Sequence, residues 1–156
     1  MNINEIVLVK IHRVEQAKQE VERQKLTLKK QHQLLTLQRD KYAQLKDVQV
    51  QIRQRPFAKQ EVLDRYAMTR WRDQVAKIQL MCESVSRQIE QHTMQLQECQ
   101  DKLELARSHY QKMFINMEKC QDIAKHHQHQ VVQYRDNMEE EQGEELAHYR
   151  SWERLV

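Results

Sequence analysis

A seven-residue repeat in the second half of the chain most restricts what it can fold into. In one register, every seventh residue from Met68 to Met138 is apolar, at eleven positions in all. The register three residues later runs from Trp71 to Tyr134 and is apolar at eight of its ten positions, the other two being histidines. These are the a and d positions of a heptad, and ten consecutive heptads predict a left-handed coiled coil.

The first half of the chain carries the same repeat more weakly. One register contains Val7, Val14, Val21, Leu28, Leu35 and Tyr42, and the other contains Lys10, Ala17, Gln24, Gln31, Gln38, Leu45 and Ile52. Three successive glutamines at core positions lower the stability of a coiled coil, although polar core residues can also fix register and partner number. The pattern leaves open whether these glutamines specify pairing or allow the first helix to be loosened.

Glycine and proline each occur once in the 156 residues. Ordinary domains contain about 7% glycine and 5% proline because turns between strands need them, so a sheet is excluded. Proline lacks an amide N–H and pushes the preceding residue out of helical geometry, so Pro56 predicts a helix break. We therefore expect an all-α fold, a long antiparallel two-helix coiled-coil hairpin with unequal arms. It forms a single elongated domain over 1–156, with helix 1 about 4–54, the bend about 55–60, helix 2 about 61–142 and an acidic tail over 143–156.

The unequal arms predict an apolar surface without an intramolecular partner. A bend near Pro56 places residue 7 opposite residue 107, which leaves 110–138 unpaired. An unpaired apolar face of this length indicates a binding surface, and methionine makes such a surface adaptable. The candidate contact residues are Tyr110, Met113, Phe114 and Met117. Two alternatives remain open, a homodimer closed by this face and a chain that folds back near Ser108.

Charge is distributed unevenly along the chain. Residues 1–58 carry twelve basic and six acidic side chains, whereas 139–156 carry two basic and six acidic ones. On helix 1 a seven-spaced set flanks the core positions, and we name it the basic stripe: Lys18, Lys25, His32, Arg39, Lys46 and Arg53. The flanking positions expected on helix 2 carry no carboxylate: Gln74, Gln79, Ser86, Gln88, Thr93, Gln95 and Gln100. The stripe is either a solvated face or a site for an acidic protein; nucleic acid is disfavoured because no base-reading motif accompanies it.

The sequence offers no chemical site. Cys120 and His127 are two helical turns apart, about 10 Å, which is too far for ligands of one zinc ion. Cys82, Cys99 and Cys120 read as buried thiols in a reducing cytosol. No phosphate loop or nucleophile elbow occurs, so we expect no catalysis, no cofactor and no metal. The longest apolar run is four residues, which predicts no transmembrane segment, and no signal peptide is recognisable.

Three stretches resemble the YscO proteins of bacterial type III secretion systems, which are related to the flagellar protein FliJ. Residues 6–17 (IVLVKIHRVEQA) resemble that family's opening of short apolar residues followed by a basic helix rich in Ala and Glu. Residues 70–78 (RWRDQVAKI) are similar to its aromatic-led start of the second helix, and 138–145 (MEEEQGEE) to its acidic end. Pro56 stands where the flagellar branch has a bend rich in Gly and Asn, and a branched residue stands where that branch favours an aromatic one.

The resemblance implies a non-enzymatic stalk in the bacterial cytoplasm, at the cytoplasmic base of the secretion apparatus. Such a stalk resembles the central shaft of rotary ATPases, is expected to be monomeric alone, and binds the hexameric secretion ATPase, the export gate protein and secretion chaperones. The positions matching the gate contact are Gln38, Tyr42, Leu45 and Gln49 on helix 1 and Trp71, Val75, Ile78 and Cys82 on helix 2. A generic homodimeric coiled-coil tether or scaffold is the alternative. The sequence does not specify the secretion system, the chaperones or the stoichiometry.

Overall fold

The chain folds into two long α-helices that pack against each other. The computed structural model describes residues 2–58 and 64–153, with side chains over 2–55, 64–146 and 148. Helix α1 spans Ile3–Ala58 and helix α2 spans Arg65–Glu153. The predicted all-α hairpin with unequal arms is confirmed.

Each helix begins at a side chain that caps its free backbone N–H groups. At the start of α1, the Asn4 amide donates to Asn2 Oδ1 at 3.5 Å, and the Asn2 amide donates to Glu5 Oε2 at 3.0 Å. The bond to Glu5 is the one that the third helical residue makes in a capping box, whereas the Asn2 side chain caps the amide of the second helical residue. At the start of α2, the Ala67 amide donates to Asp64 Oδ1 at 2.7 Å, the geometry of an N-cap aspartate. The cap fixes the start of α2 at Arg65, whereas the sequence led us to expect about residue 61.

Helix α1 continues through its proline instead of ending at residue 54, as the sequence led us to expect. In an α-helix the amide of residue 56 donates to the carbonyl of residue 52, and proline has no amide hydrogen. The indole Nε1 of Trp71 donates to the Ile52 carbonyl oxygen at 2.7 Å. A side chain of α2 thus supplies the missing donor, and α1 runs on to Ala58. The rest of the expected bend, 59–60, lies outside the described residues.

Helix α2 also passes the residue expected to end it. Gly143 lies within the helix, and a Cβ placed there would meet nothing within 4 Å. One exposed glycine inside a helix costs about 1 kcal/mol relative to alanine. The residues around Gly143 are mostly Glu, Gln and Leu, which favour the helix and offset this cost. The segment predicted as an acidic tail, 143–156, is therefore helical as far as Glu153.

The two heptad registers form the packed face of each helix, which we call the seam. On α1, every predicted core position from Val7 to Ile52 is buried or half-buried. On α2, the same holds from Trp71 to Ala124, whereas Met68 and the described core positions over 125–146 are exposed. The most buried apolar side chains are Ala17, Val21, Leu35, Cys82, Val85 and Leu103. A two-helix fold has one such face per helix, and burial of a leucine there contributes about 1.5–3 kcal/mol.

The residues group into two compact units, and each helix contributes to both. One unit contains Glu20–Arg107, and the other contains Met1–Gln19 together with Ser108–Val156. In the second unit the first turns of α1 belong with the part of α2 that follows residue 107. The prediction that 110–138 lacks an intramolecular partner is therefore wrong for residues 110–124.

The cause of that error is the position of the connection between the helices. α1 ends at Ala58 and α2 begins at Arg65, so residues equally far from these ends lie opposite each other. Val7 is then placed near residue 116 instead of 107. The half-buried side chains of α2 accordingly extend to Ala124, and those over 125–146 are all exposed. We call 125–146 the α2 extension.

Candidate interaction surfaces

The residues predicted to contact an export gate lie in the seam near the connection between the helices. Gln49 and Cys82 are buried, with 7% and 4% of their surfaces exposed. The others are half-buried: Gln38, Tyr42, Leu45, Trp71, Val75 and Ile78. These side chains therefore contribute to packing between α1 and α2, and only their outer edges reach the surface. Their contact with a partner stays a prediction.

Polar side chains in the α1 half of the seam are incompletely hydrogen-bonded. Gln24 Nε2 donates to Glu20 Oε1 at 2.8 Å, and Gln49 Oε1 accepts from Lys46 Nζ at 3.3 Å. In contrast, the Oε1 atoms of Gln31 and Gln38 are buried and have no hydrogen-bond partner. A buried acceptor without a donor costs about 1–3 kcal/mol. The seam is thus weakest along its middle heptads on α1, a feature the glutamine pattern indicates in the sequence.

Local hydrogen bonds within α1 shift the pKa of the Glu20 carboxyl. Hydrogen bonds from Gln24 and then Arg23 hold the pKa of the Glu20 carboxyl below its ordinary value. The Arg23 guanidinium lies 2.9 Å from Glu20 Oε2, within the same helix. Glu20 therefore connects Gln24, a side chain of the core, to Arg23 at the surface of α1.

The basic stripe is exposed along α1. Lys25 Nζ lies 2.7 Å from Glu22 Oε1, an ion pair within one helix. Lys46 Nζ lies 5.5 Å from the ring centroid of Tyr42, close enough for a cation–π interaction. Arg39 and Arg53 form no ion pair with any described residue. The stripe thus keeps most of its positive charge available on the surface.

The four predicted contact residues near the middle of α2 are only partly exposed. Tyr110, Met113 and Met117 are half-buried, and Phe114 is 38% exposed. The rings of Tyr110 and Phe114 lie 6.1 Å apart between centroids with an interplanar angle of 33°. Since these residues share a compact unit with the first turns of α1, three of them belong to the seam and Phe114 borders it.

The α2 extension continues the heptad pattern without burial. Val131 is 53% exposed, Tyr134 70% and Met138 39%. Five glutamates lie over 139–145, and Arg135 pairs with Asp136 and Glu139 at 3.7 and 3.8 Å. The extension is therefore an apolar face that runs into an acidic segment, and the sequence predicted its residues 125–138 as unpaired.

Among the residues that the structure describes, the thiols and histidines form no metal-binding cluster. Cys82 is buried, whereas Cys99 and Cys120 are half-buried, so the expectation of three buried thiols is correct only for Cys82. His126 and His127 are exposed. Within the described residues, no group of three His, Cys, Asp or Glu side chains could hold a metal ion.

Two shallow grooves lie on the surface of α2. One is lined by Asp122, Ile123, Lys125, His126 and His129, and a second by Glu141, Glu144, Glu145 and His148. Both are wide open to solvent. Neither of the helices, over the residues described, is apolar enough along its length to cross a membrane.

No family model, curated protein or solved structure matches the chain.

Proposed function

We propose that this chain is a non-enzymatic stalk and coupling protein of a bacterial type III secretion export apparatus. It would act at the cytoplasmic base of the apparatus, bind the ATPase hexamer and contact the export gate and secretion chaperones. The supporting observation is an antiparallel hairpin of helices of unequal length, in which α2 runs on past the residues that α1 covers. The central shaft of rotary ATPases, which the YscO family resembles, has this arrangement.

The proposed mechanism is differential binding. A helix that contacts one state of an ATPase ring or gate more strongly than another shifts the equilibrium toward the first state. No reaction at the helix itself is required. The unsatisfied Gln31 and Gln38 acceptors fit this role, because a weakly specified seam can adjust when its surroundings are asymmetric.

The test is reconstitution with the secretion ATPase of the organism that encodes this chain. We expect co-purification and a change in ATPase assembly or turnover when the chain is added. If neither turnover nor assembly changes and the proteins do not co-purify, the stalk proposal is wrong. An ATPase gene next to this one supports the proposal, and isolation among unrelated genes opposes it.

The gate contact can be tested separately with matched seam variants. Tyr42→Ala and Ile78→Ala remove half-buried side chains near the connection between the helices, and Leu28→Ala removes one farther away. If the connection end contacts the gate, the first two variants weaken export gate binding more than Leu28→Ala does at equal helical content. Equal weakening by all three would assign the effect to hairpin stability alone.

A second candidate function is a homodimeric coiled-coil tether, and the exposed face of the α2 extension favours it. Val131 and Met138 would pack against the same face of another copy. A stable dimer in sedimentation equilibrium at micromolar concentration that Val131→Asp with Met138→Asp dissociates would support the tether. A monomer under those conditions would support the stalk.

A further inference from the structure

The five members of the basic stripe within Glu20–Arg107 form a regular row of charges. Lys25, His32, Arg39, Lys46 and Arg53 are all exposed, and each stands four residues after a seam position. Seven residues of helix rise about 10.5 Å, so the side chains recur at that interval on one edge of α1. Four of the five are lysine or arginine.

The neighbouring edge of α2 leaves this row uncompensated. The corresponding positions, each four residues after a seam position, are Gln79, Ser86, Thr93 and Gln100. They are neutral; Thr93 Oγ1 donates to the Ile89 carbonyl oxygen at 2.7 Å and Gln79 Nε2 to Glu83 Oε1 at 3.2 Å, both within α2. Within α1 itself, Glu22 pairs with Lys25, while Arg39 and Arg53 have no ion pair with a described residue. The corresponding positions of α2 therefore carry no carboxylate, and every described ion pair lies within one helix.

We propose that this edge of the hairpin is a docking surface for an acidic helix whose carboxylates recur every seven residues. Such a helix places one carboxylate beside each cation of α1. The charge complementarity selects the occupant, because the row on α1 consists of lysine, arginine and histidine side chains and the corresponding positions of α2 carry no carboxylate.

The spacing favours a helical protein over nucleic acid. Phosphates along one DNA strand recur every 3.4 Å, about three times closer than the cations of the stripe. The aromatic ring beside the row, that of Tyr42, is half-buried and has Lys46 Nζ 5.5 Å from its centroid, and none of the five stripe positions is itself aromatic, so the row offers no stacked platform for bases. A partner helix with the same heptad repeat matches the row one to one.

The interaction is expected to be cooperative along the row and sensitive to salt. A single exposed ion pair contributes little, so several must form together for measurable binding. Screening over about 8–10 Å at physiological ionic strength weakens each pair. The docking surface does not depend on the proposed role in secretion.

The test uses synthetic helical peptides and the intact chain. The probe is a fluorescent peptide of about five heptads with glutamate at one position per heptad, and the control peptide has the same composition with irregular glutamate spacing. The variant Lys25→Glu/Arg39→Glu/Arg53→Glu reverses three charges of the stripe. The matched control Lys30→Glu/Lys41→Glu/Arg55→Glu reverses three exposed charges elsewhere on α1. Circular dichroism verifies that both variants keep their helices.

We expect the regular peptide to bind at least about tenfold more weakly to the stripe variant than to the unmodified chain, and the control variant to lose about threefold or less. Binding should also fall steeply as salt is raised from low to well above physiological ionic strength. Equal affinity for the two peptides, equal loss in the two variants, or tighter binding of duplex DNA than of the peptide would each overturn the proposal. The assay contains no ATPase, so its failure would not bear on the stalk proposal.

Discussion

The indole Nε1 of Trp71 donates a 2.7 Å hydrogen bond to the carbonyl oxygen of Ile52, the one α1 carbonyl whose helical donor would have been Pro56. A proline normally leaves that carbonyl without its partner. Here Trp71 of the opposite helix supplies the hydrogen-bond donor. The bond therefore connects three features near the end of the hairpin, namely the proline, the last turns of α1 and the first turns of α2.

This relationship predicts coupling between Trp71 and Pro56. Trp71→Phe keeps an aromatic ring and removes the donor, which should lower the free energy of unfolding by about 1–3 kcal/mol. In a Pro56→Ala background the backbone amide at position 56 can donate to Ile52, so the same change should cost less. Urea denaturation of the four proteins gives the coupling energy, with the other effects of each substitution cancelling in the cycle. An equal cost in both backgrounds would show that the indole does not replace the amide.

The start of α2 should depend on its N-cap. Asp64→Ala removes the acceptor of the 2.7 Å bond from the Ala67 amide and should cost about 0.5–2 kcal/mol. Asp73→Ala, at an exposed position inside α2, is the matched control and should change stability by less than about 0.5 kcal/mol. Urea midpoints measure both, and equal effects would rule out a capping role.

Periodicity predicted the seam well, because heptad spacing alone decides which residues of a long helix share a face. All the core positions of α1 and those of α2 from Trp71 to Ala124 are buried or half-buried as expected. The boundaries were harder to predict. The bond from Trp71 to Ile52 joins residues 19 apart in sequence, and the propensity of a proline in isolation gives no sign of it.

Some candidate surfaces, too, are predictable from local spacing, and others depend on where the connection between the helices lies. The basic stripe and the exposed 125–138 segment follow from local spacing, so both are visible in the sequence. The burial of Tyr110, Met113 and Met117 depends on where the connection lies. An error of a few residues in the bend shifts the partner of every position by twice as many, which is why residue 107 was expected where the structure places about 116.

Replacing the unsatisfied core glutamines should stabilise the hairpin. Gln31→Leu and Gln38→Leu each remove a buried acceptor without a donor and add apolar burial, for a gain of about 1 kcal/mol or more per site. Gln33→Leu, at an exposed position, is the control and should change stability by less than about 0.5 kcal/mol. Thermal and urea unfolding measure the gain, and sedimentation confirms an unchanged oligomeric state. A loss of stability at either site would mean that its glutamine is satisfied in solution.

The carboxyl of Glu20 should titrate below an ordinary exposed glutamate. Its folded-state pKa is lowered chiefly by Gln24, so its contribution to stability is present above the unfolded pKa and is lost as pH falls through the folded pKa. Gln24→Ala should raise the pKa toward the ordinary value, whereas Gln19→Ala should not. NMR titration of the side-chain carboxyl measures this, and an unchanged pKa in Gln24→Ala would contradict the assigned cause.

Truncation of two methionines should mark where the coverage of α2 by α1 ends. Met117 is half-buried in the unit that contains the first turns of α1, so Met117→Ala should lower the free energy of unfolding by about 1–2 kcal/mol. Met138 occupies the same heptad register but lies in the α2 extension, so Met138→Ala should stay within about 0.5 kcal/mol. Urea denaturation of both at a concentration where the chain is monomeric separates intramolecular burial from self-association. If Met117→Ala is also neutral, the seam ends before residue 117. A cost for Met138→Ala that grows with protein concentration would instead show that the extension pairs with a second copy.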